Sequence, residues 1–164
     1  MKIAVLSDTH GNYGLAADML SRISAVDHII HLGDNVADAD CIEYVLSRPI
    51  IKIAGNCDFA CGCPREILLD INDTRIFATH GDHYSVKAGL DNLLVKTTRE
   101  RAEIALYGHT HVPFIRRHGN TLLLNPGSLK KDAATHSLAI ISIKKNNLLA
   151  ELVFSDILDD SSLP

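Results

Sequence analysis

Five short apolar runs in this 164-residue chain each end in a cluster of side chains able to ligate metals. Lys2-Ile3-Ala4-Val5-Leu6 leads into Asp8-Thr9-His10, and His28-Ile29-Ile30-His31-Leu32 into Gly33-Asp34-Asn35. Ile50-Ile51-Lys52-Ile53-Ala54 leads into Gly55-Asn56-Cys57-Asp58, and Arg75-Ile76-Phe77-Ala78-Thr79 into His80-Gly81-Asp82-His83. Ile104-Ala105-Leu106-Tyr107 leads into Gly108-His109-Thr110-His111. Apolar runs of this length read as strands buried on both faces. In an open α/β sheet, ligands gather beyond the carboxyl ends of the strands. The five segments therefore deliver Asp, Asn and His side chains to one edge, where their chemistry calls for metal.

The first third alternates strand and helix. Strand 2–7 precedes a helical pattern over 13–23, with Leu15, Met19, Leu20 and Ile23 on one face. Strand 28–32 precedes a helix over 38–47, which Pro49 stops before strand 50–54. Such a βαβαβ opening implies parallel strands with right-handed crossovers. Residues 65–71 and 75–79 read as a hairpin turning at Asn72-Asp73, followed by a helix over 85–101. After strand 104–107 come two more hairpins, 114–118 with 122–124 around Gly119-Asn120, and 137–143 with 148–154 around Asn146-Asn147. Parallel strands early and antiparallel strands late predict two mixed sheets packed face to face and flanked by helices. Residues 1–154 read as one domain and 155–164 as an acidic, frayed tail.

Composition narrows the function. Sixteen basic residues against 20 acidic give a net charge of −4, and aromatics are only 5% with no Trp. Broad binding to nucleic acid or anionic membrane is excluded on charge, and base-stacking platforms on aromatic content. A negatively charged substrate then needs local attraction from bound cations. No run is long enough for a membrane span, and Asp8 interrupts the first apolar stretch before it reaches the length of a secretory signal. Cys41, Cys57, Cys61 and Cys63 fit free thiols of a reducing compartment, so the expectation is a cytoplasmic protein. A homo-oligomer is compatible with everything in the sequence.

Each cluster alone has a plainer reading. Asp8-Thr9-His10 also serves as a helix cap followed by a histidine, Gly33-Asp34-Asn35 and Gly55-Asn56 as turns, and His80 as a solvated loop residue. In His109-Thr110-His111 both imidazoles converge if the segment is extended, because alternate residues then face the same way. Five strand ends carrying suitable donors in one chain make coincidence a poor account. Imidazole and carboxylate donors without thiolate suit manganese, iron, zinc, cobalt or nickel better than calcium. His28 and His31 fall within a strand, where packing or a hydrogen bond explains them.

The ordered set Asp8-x-His10, Gly33-Asp34, Gly55-Asn56, His80 and Gly108-His109-x-His111 resembles the calcineurin-like metallophosphoesterase superfamily. Small size, Gly55-Asn56-Cys57-Asp58 and Asn125-Pro126-Gly127-Ser128 make it similar to the compact bacterial and archaeal phosphodiesterase branch. The resemblance implies a four-layer αββα fold and two divalent transition-metal ions, manganese foremost. Asp8, His10 and His111 would hold the first ion, and Asn56, His80 and His109 the second, with Asp34 bridging. It further implies a phosphodiesterase that hydrolyses a small phosphoester by in-line attack of a hydroxide held between the ions. A metal-dependent phosphomonoesterase is the enzymatic alternative. The other is a non-catalytic scaffold similar to a retromer subunit.

Two positions bear on substrate. Asn12 follows Gly11 and is suited either to a phosphate oxygen or to capping a helix. In many family members a histidine follows the asparagine and is proposed to protonate the leaving group, whereas here Cys57 stands there. A thiol is a poor acid catalyst, so esters with acidic leaving groups are the expected substrates.

Overall fold

The structure, a computed structural model, describes residues 1–145 and 147–158. Its first half runs β1 (Lys2–Leu6), α1 (Tyr13–Ser21), β2 (His28–His31), α2 (Val36–Leu46), β3 (Ile50–Lys52), β4 (Glu66–Ile71) and β5 (Thr74–Thr79). A 3-10 turn at Asp82–Tyr84 leads to α3 (Asp91–Arg99), β6 (Ile104–Leu106), β7 (Phe114–His118) and β8 (Thr121–Asn125). β9 (Ser137–Lys144), β10 (Asn147–Phe154) and a helical turn, α4 (Ser155–Leu158), follow.

Two five-stranded sheets form, ordered β10-β9-β1-β2-β3 and β4-β5-β6-β8-β7. β1, β2 and β3 are parallel, and so are β5, β6 and β8. Alternation along each strand builds the layers. Ile3 and Val5 of β1 join Ile76, Ala78, Ile104, Leu106, Leu122 and Leu124 of the opposite sheet in the central core. Ala4 and Leu6 face the other way, against Ala16, Met19 and Leu20 of α1 and Ile42 of α2. Phe77, Ala105 and Leu123 pack similarly against Leu93 of α3. The central strands β1, β6 and β8 are buried on both faces because each sheet is covered on both there, which gives the expected αββα stack.

β9 pairs with β1, so the last hairpin returns to the first sheet and both sheets are mixed. The helix expected over 85–101 is reduced to Asp91–Arg99. Ser85 and Gly89 adopt φ of 54° and 158°, which no α-helix accommodates. The hairpin at Asn72-Asp73 forms as expected, both residues left-handed at φ 50° and 62°, as a two-residue type I′ turn requires. The expected turn residue Asn146 and positions 159–164 of the tail lie outside the described residues. Among the described residues, no helix is long and apolar enough to cross a membrane.

Candidate metal centre

The loops after β1, β2, β3, β5 and β6 meet at one edge of the sandwich through their own backbones. Asp8 N–H donates to Gly33 O at 3.0 Å and Gly108 N–H to His80 O at 2.9 Å. Glycine permits this closeness. A Cβ on Gly33 would strike the backbone of Gly55, and one on Gly55 would strike the Asp34 carboxylate. One on Gly108 would fall on Ser7 Oγ and 2.8 Å from Asp8 Oδ2. The loops are also bent sharply: Asp8, His10, Asp34, His109 and His111 have φ of 54°, 43°, 58°, 66° and 59°. Left-handed backbone at non-glycine residues costs of order 1–3 kcal/mol each and concentrates at functional sites.

Two groups of donor atoms result, Asp8, His10, Asp34 and His111 in one, and Asp34, His80 and His109 in the other. Asp34 belongs to both. Its Oδ2 lies 3.6 Å from His10 Nε2, while its Oδ1 lies 3.5 Å from His80 Nε2. Cys57 N–H donates to that Oδ1 at 2.9 Å and sets the orientation of the carboxylate. Asp34 and Asp8 are 3% and 0% exposed, so neither charge is met by solvent.

Whether these residues suit a cation is decided by where their hydrogens are. His80 Nδ1 faces Leu32 O at 2.9 Å, and because a carbonyl only accepts, Nδ1 carries the proton. In the neutral ring Nε2 is then a bare lone pair, yet it faces Asn56 Oδ1 at 3.1 Å, another acceptor. His109 Nδ1 lies 3.1 Å from His80 Nε2. In the first group, Asp8 Oδ1 and His10 Nε2 are buried with no hydrogen-bond partner among the described residues. His111 Nε2 approaches that oxygen to 3.0 Å, an ion-pair contact. The His80 lone pair and the Asn56 amide oxygen repel one another unless a cation lies between them. The donors fit divalent metal.

Electrostatics favours the ligating protonation states of Asp8 and His109 but not that of His111. Burial pushes the Asp8 carboxyl up, but His111, His80 and the Ser7 hydroxyl together outweigh it and hold the group below the usual carboxylate range. Burial, with the nearby His80 and Lys87, lowers the His109 imidazole and frees its lone pair. The contact with Asp8 raises His111, so this ring must give up a proton to accept a metal.

All seven expected ligands thus reach this edge, though not by the local geometry anticipated for His109 and His111. Their segment is not extended. Both residues are left-handed, and the two rings separate into different groups, the division the family resemblance implied. Asn12 occupies the position before α1, but its side chain does not cap the helix. Its Nδ2 donates instead to Leu129 O at 2.8 Å. Cys57 is exposed beside Asn56, and burial of its sulfur, with Asp34 next, raises its thiol above the ordinary range. The thiol is therefore protonated at neutral pH.

A second set of groups holds the ligand-bearing loops. His31 is fully buried, accepts Gly33 N–H on Nδ1 at 3.2 Å and lies 3.1 Å from Thr9 Oγ1 through Nε2. Asn125 ties Gly108 O at 2.9 Å to Thr110 Oγ1 at 3.0 Å. Ser128 Oγ donates to Asp8 O at 2.9 Å, and Asp38 accepts Gly11 N–H at 2.6 Å. The hydrogen bonds expected to account for His31 are present.

An αββα sandwich with a paired acidic and imidazole centre at one edge defines a binuclear metallohydrolase. The sequence profile of the calcineurin-like phosphoesterase superfamily domain matches residues 1–146, and the chain belongs to that family. A phosphodiesterase of Methanocaldococcus jannaschii is 31% identical over 150 residues, covering 77% of this chain and 83% of that protein. A crystal structure from Streptococcus pneumoniae, of a predicted phosphoesterase, superposes with a TM-score of 0.81 at 29% identity, covering 94% of this chain and 90% of that one. Vps29 of Entamoeba histolytica in complex with zinc shares the fold, with a TM-score of 0.73 at 20% identity over 94% and 99% of the two chains.

Proposed function

We propose that this chain is a dimetal phosphodiesterase acting on a small phosphoester. The observation that carries the reading is the divided Asp34 carboxylate, one oxygen turned to each group of imidazoles. Asp8, His10 and His111 would hold one ion, and Asn56, His80 and His109 the other, with Asp34 between them. When bound, such a pair supplies Lewis acidity toward phosphoryl oxygens and a water acidic enough to ionise near neutrality. Asp8 and Asp34 bring two negative charges against four from a divalent pair, so the loaded edge attracts phosphate. Asn56 brings a neutral amide oxygen, which leaves more of that positive charge uncancelled than a carboxylate would.

Manganese is the metal we favour, and nickel, zinc, iron and cobalt suit the same donors. Cys57 Sγ lies 3.4 Å from Asn56 Nδ2, but a raised thiol pKa makes it a weak acid. Esters whose leaving groups need no proton are therefore the preferred class, aryl diesters among them. The 31% identical phosphodiesterase of Methanocaldococcus jannaschii supports diesters over monoesters. Residues 1–154 would act as one domain, in the reducing cytoplasm that four free thiols suit.

The test is elemental analysis joined to a hydrolysis screen with added manganese. Two ions per chain and faster hydrolysis of a bis-aryl diester than of the aryl monoester are expected. Faster monoester turnover would replace the reading with a phosphomonoesterase. Full metal occupancy with no hydrolysis across a phosphoester panel would replace it with an interaction scaffold.

A further inference from the structure

The loop after β3 contains a second carboxylate, Asp58, that faces no imidazole of the centre. It accepts four backbone N–H groups. Oδ2 takes Asp34 N–H and Gly55 N–H, each at 2.8 Å, and Oδ1 takes Asn35 N–H at 2.9 Å and Val36 N–H at 2.7 Å. Two carboxylate oxygens offer about four lone-pair sites, and all four are used.

Those donors need holding. Asp34 and Asn35 have φ of 58° and 83°, and strained backbone of this kind persists only where its surroundings over-determine it. Asn35 stands at the N-cap of α2, yet its side chain makes no capping bond. Asp58 performs that task from another loop, satisfying the first N–H groups of α2 with negative charge where the helix dipole favours it. One stretch of four residues therefore grips Asp34 twice, Cys57 N–H on its side chain and Asp58 on its backbone. The same stretch supplies Asn56, whose Oδ1 faces His80 Nε2.

We infer that Asp58 is the positioning residue of the metal centre: it locks the bridging Asp34 in its left-handed conformation and couples the two ion sites to each other. The inference rests on the dimetal reading above but not on the nature of the substrate. Asp58→Asn keeps the size of the side chain and turns one acceptor into a donor facing N–H groups. Loss of such an outer contact in metalloproteins costs about 10–100-fold in metal affinity or activity.

Manganese is titrated into metal-free wild type, Asp58→Asn and the surface control Asp40→Asn, followed by electron paramagnetic resonance and by thermal melting. Wild type and Asp40→Asn should take up two ions and show the spin-coupled signal of a bridged pair. Asp58→Asn should remain folded, require at least about tenfold more manganese for half-saturation and show mainly uncoupled ions. Unchanged affinity and coupling in a folded Asp58→Asn would overturn the inference and leave the phosphodiesterase reading standing. Two coupled ions in wild type with no hydrolysis of any diester would do the reverse. If Asp58→Asn does not fold, amide exchange in the wild type decides. Slow exchange at Asp34, Asn35 and Val36 relative to Phe59 and Ala60 supports the inference, and exchange as fast as at those two positions overturns it.

Discussion

Asp8 reaches across 101 residues of sequence to accept the backbone N–H of His109 on Oδ2 at 3.1 Å. Its other oxygen stands 3.0 Å from His111 Nε2, so this one buried carboxylate sets both the position of the β6 loop and one of its rings. The end of the first strand in one sheet is thereby joined to the end of a central strand in the other. The metal edge is a seam between sheets.

Asp34→Asn should depopulate both ion positions together, because Asp34 alone belongs to both donor groups. His111→Ala should empty mainly the position shared with Asp8 and His10. With several kcal/mol of transition-state stabilisation coming from the ions, Asp34→Asn should lower diester turnover by about a thousandfold. Elemental analysis of the two variants checks the assignment, and full metal content in Asp34→Asn would refute the bridge.

Gly108→Ala places a methyl group on Ser7 Oγ and 2.8 Å from Asp8 Oδ2, against side chains that are fully buried. Overpacking of this kind costs about 1–3 kcal/mol, or roughly 3–10 °C in Tm at this chain length. Metal affinity should fall with it, because Asp8 cannot yield without losing His109 and His111. Gly14→Ala, where the added methyl meets nothing within 4 Å, is the control for calorimetry. Equal melting temperatures for the two variants would show that the close approach is not required.

Acid should destabilise the fold through His31. Burial lowers its imidazole from 6.5 to about 4, and the bond accepted from Gly33 N–H on Nδ1 leaves the proton on Nε2. Between those values the unfolded chain binds a proton that the folded chain does not, so stability falls as pH falls. The contribution is complete above pH 6.5 and lost once pH drops through about 4, on the order of 3 kcal/mol. His31→Asn should therefore show a shallower dependence of urea stability on pH across that window. Identical slopes in the two proteins would count against a neutral buried ring.

Cys57→His should place an imidazole where a thiol with a raised pKa now stands beside Asn56. A positioned acid contributes about 100-fold or more when the leaving group needs a proton. Alkyl diesters should gain most and aryl diesters little, so the plot of log rate against leaving-group pKa should flatten. A steep plot in wild type and an equally steep one in the variant would show that position 57 does not deliver the proton.

The strands and their ligand-bearing ends were legible because a strand covered on both faces must be apolar throughout, and a loop that leaves it must be polar. Ile3 to Leu6 and Ile104 to Leu106 read this way directly and are fully buried. The helix expected from Ser85 was misjudged because apolar spacing in 90–95 extends no information back to the left-handed Ser85 and Gly89. Asp58 escaped for a related reason. Three of its four partners are backbone N–H groups at the start of α2 and the loop before it, and backbone amides have no signature in an amino-acid sequence.

Residue order alone determined which side chains stand at strand ends, that imidazole and carboxylate dominate there, and that two covered sheets would form. Pairing of β9 with β1 and the left-handed turns at His109 and His111 were decided only in three dimensions. Composition along a chain specifies what each segment can bury and bind. Distances between segments depend on how closely Gly33, Gly55 and Gly108 let separate backbones approach, and that is a property of the assembled sandwich.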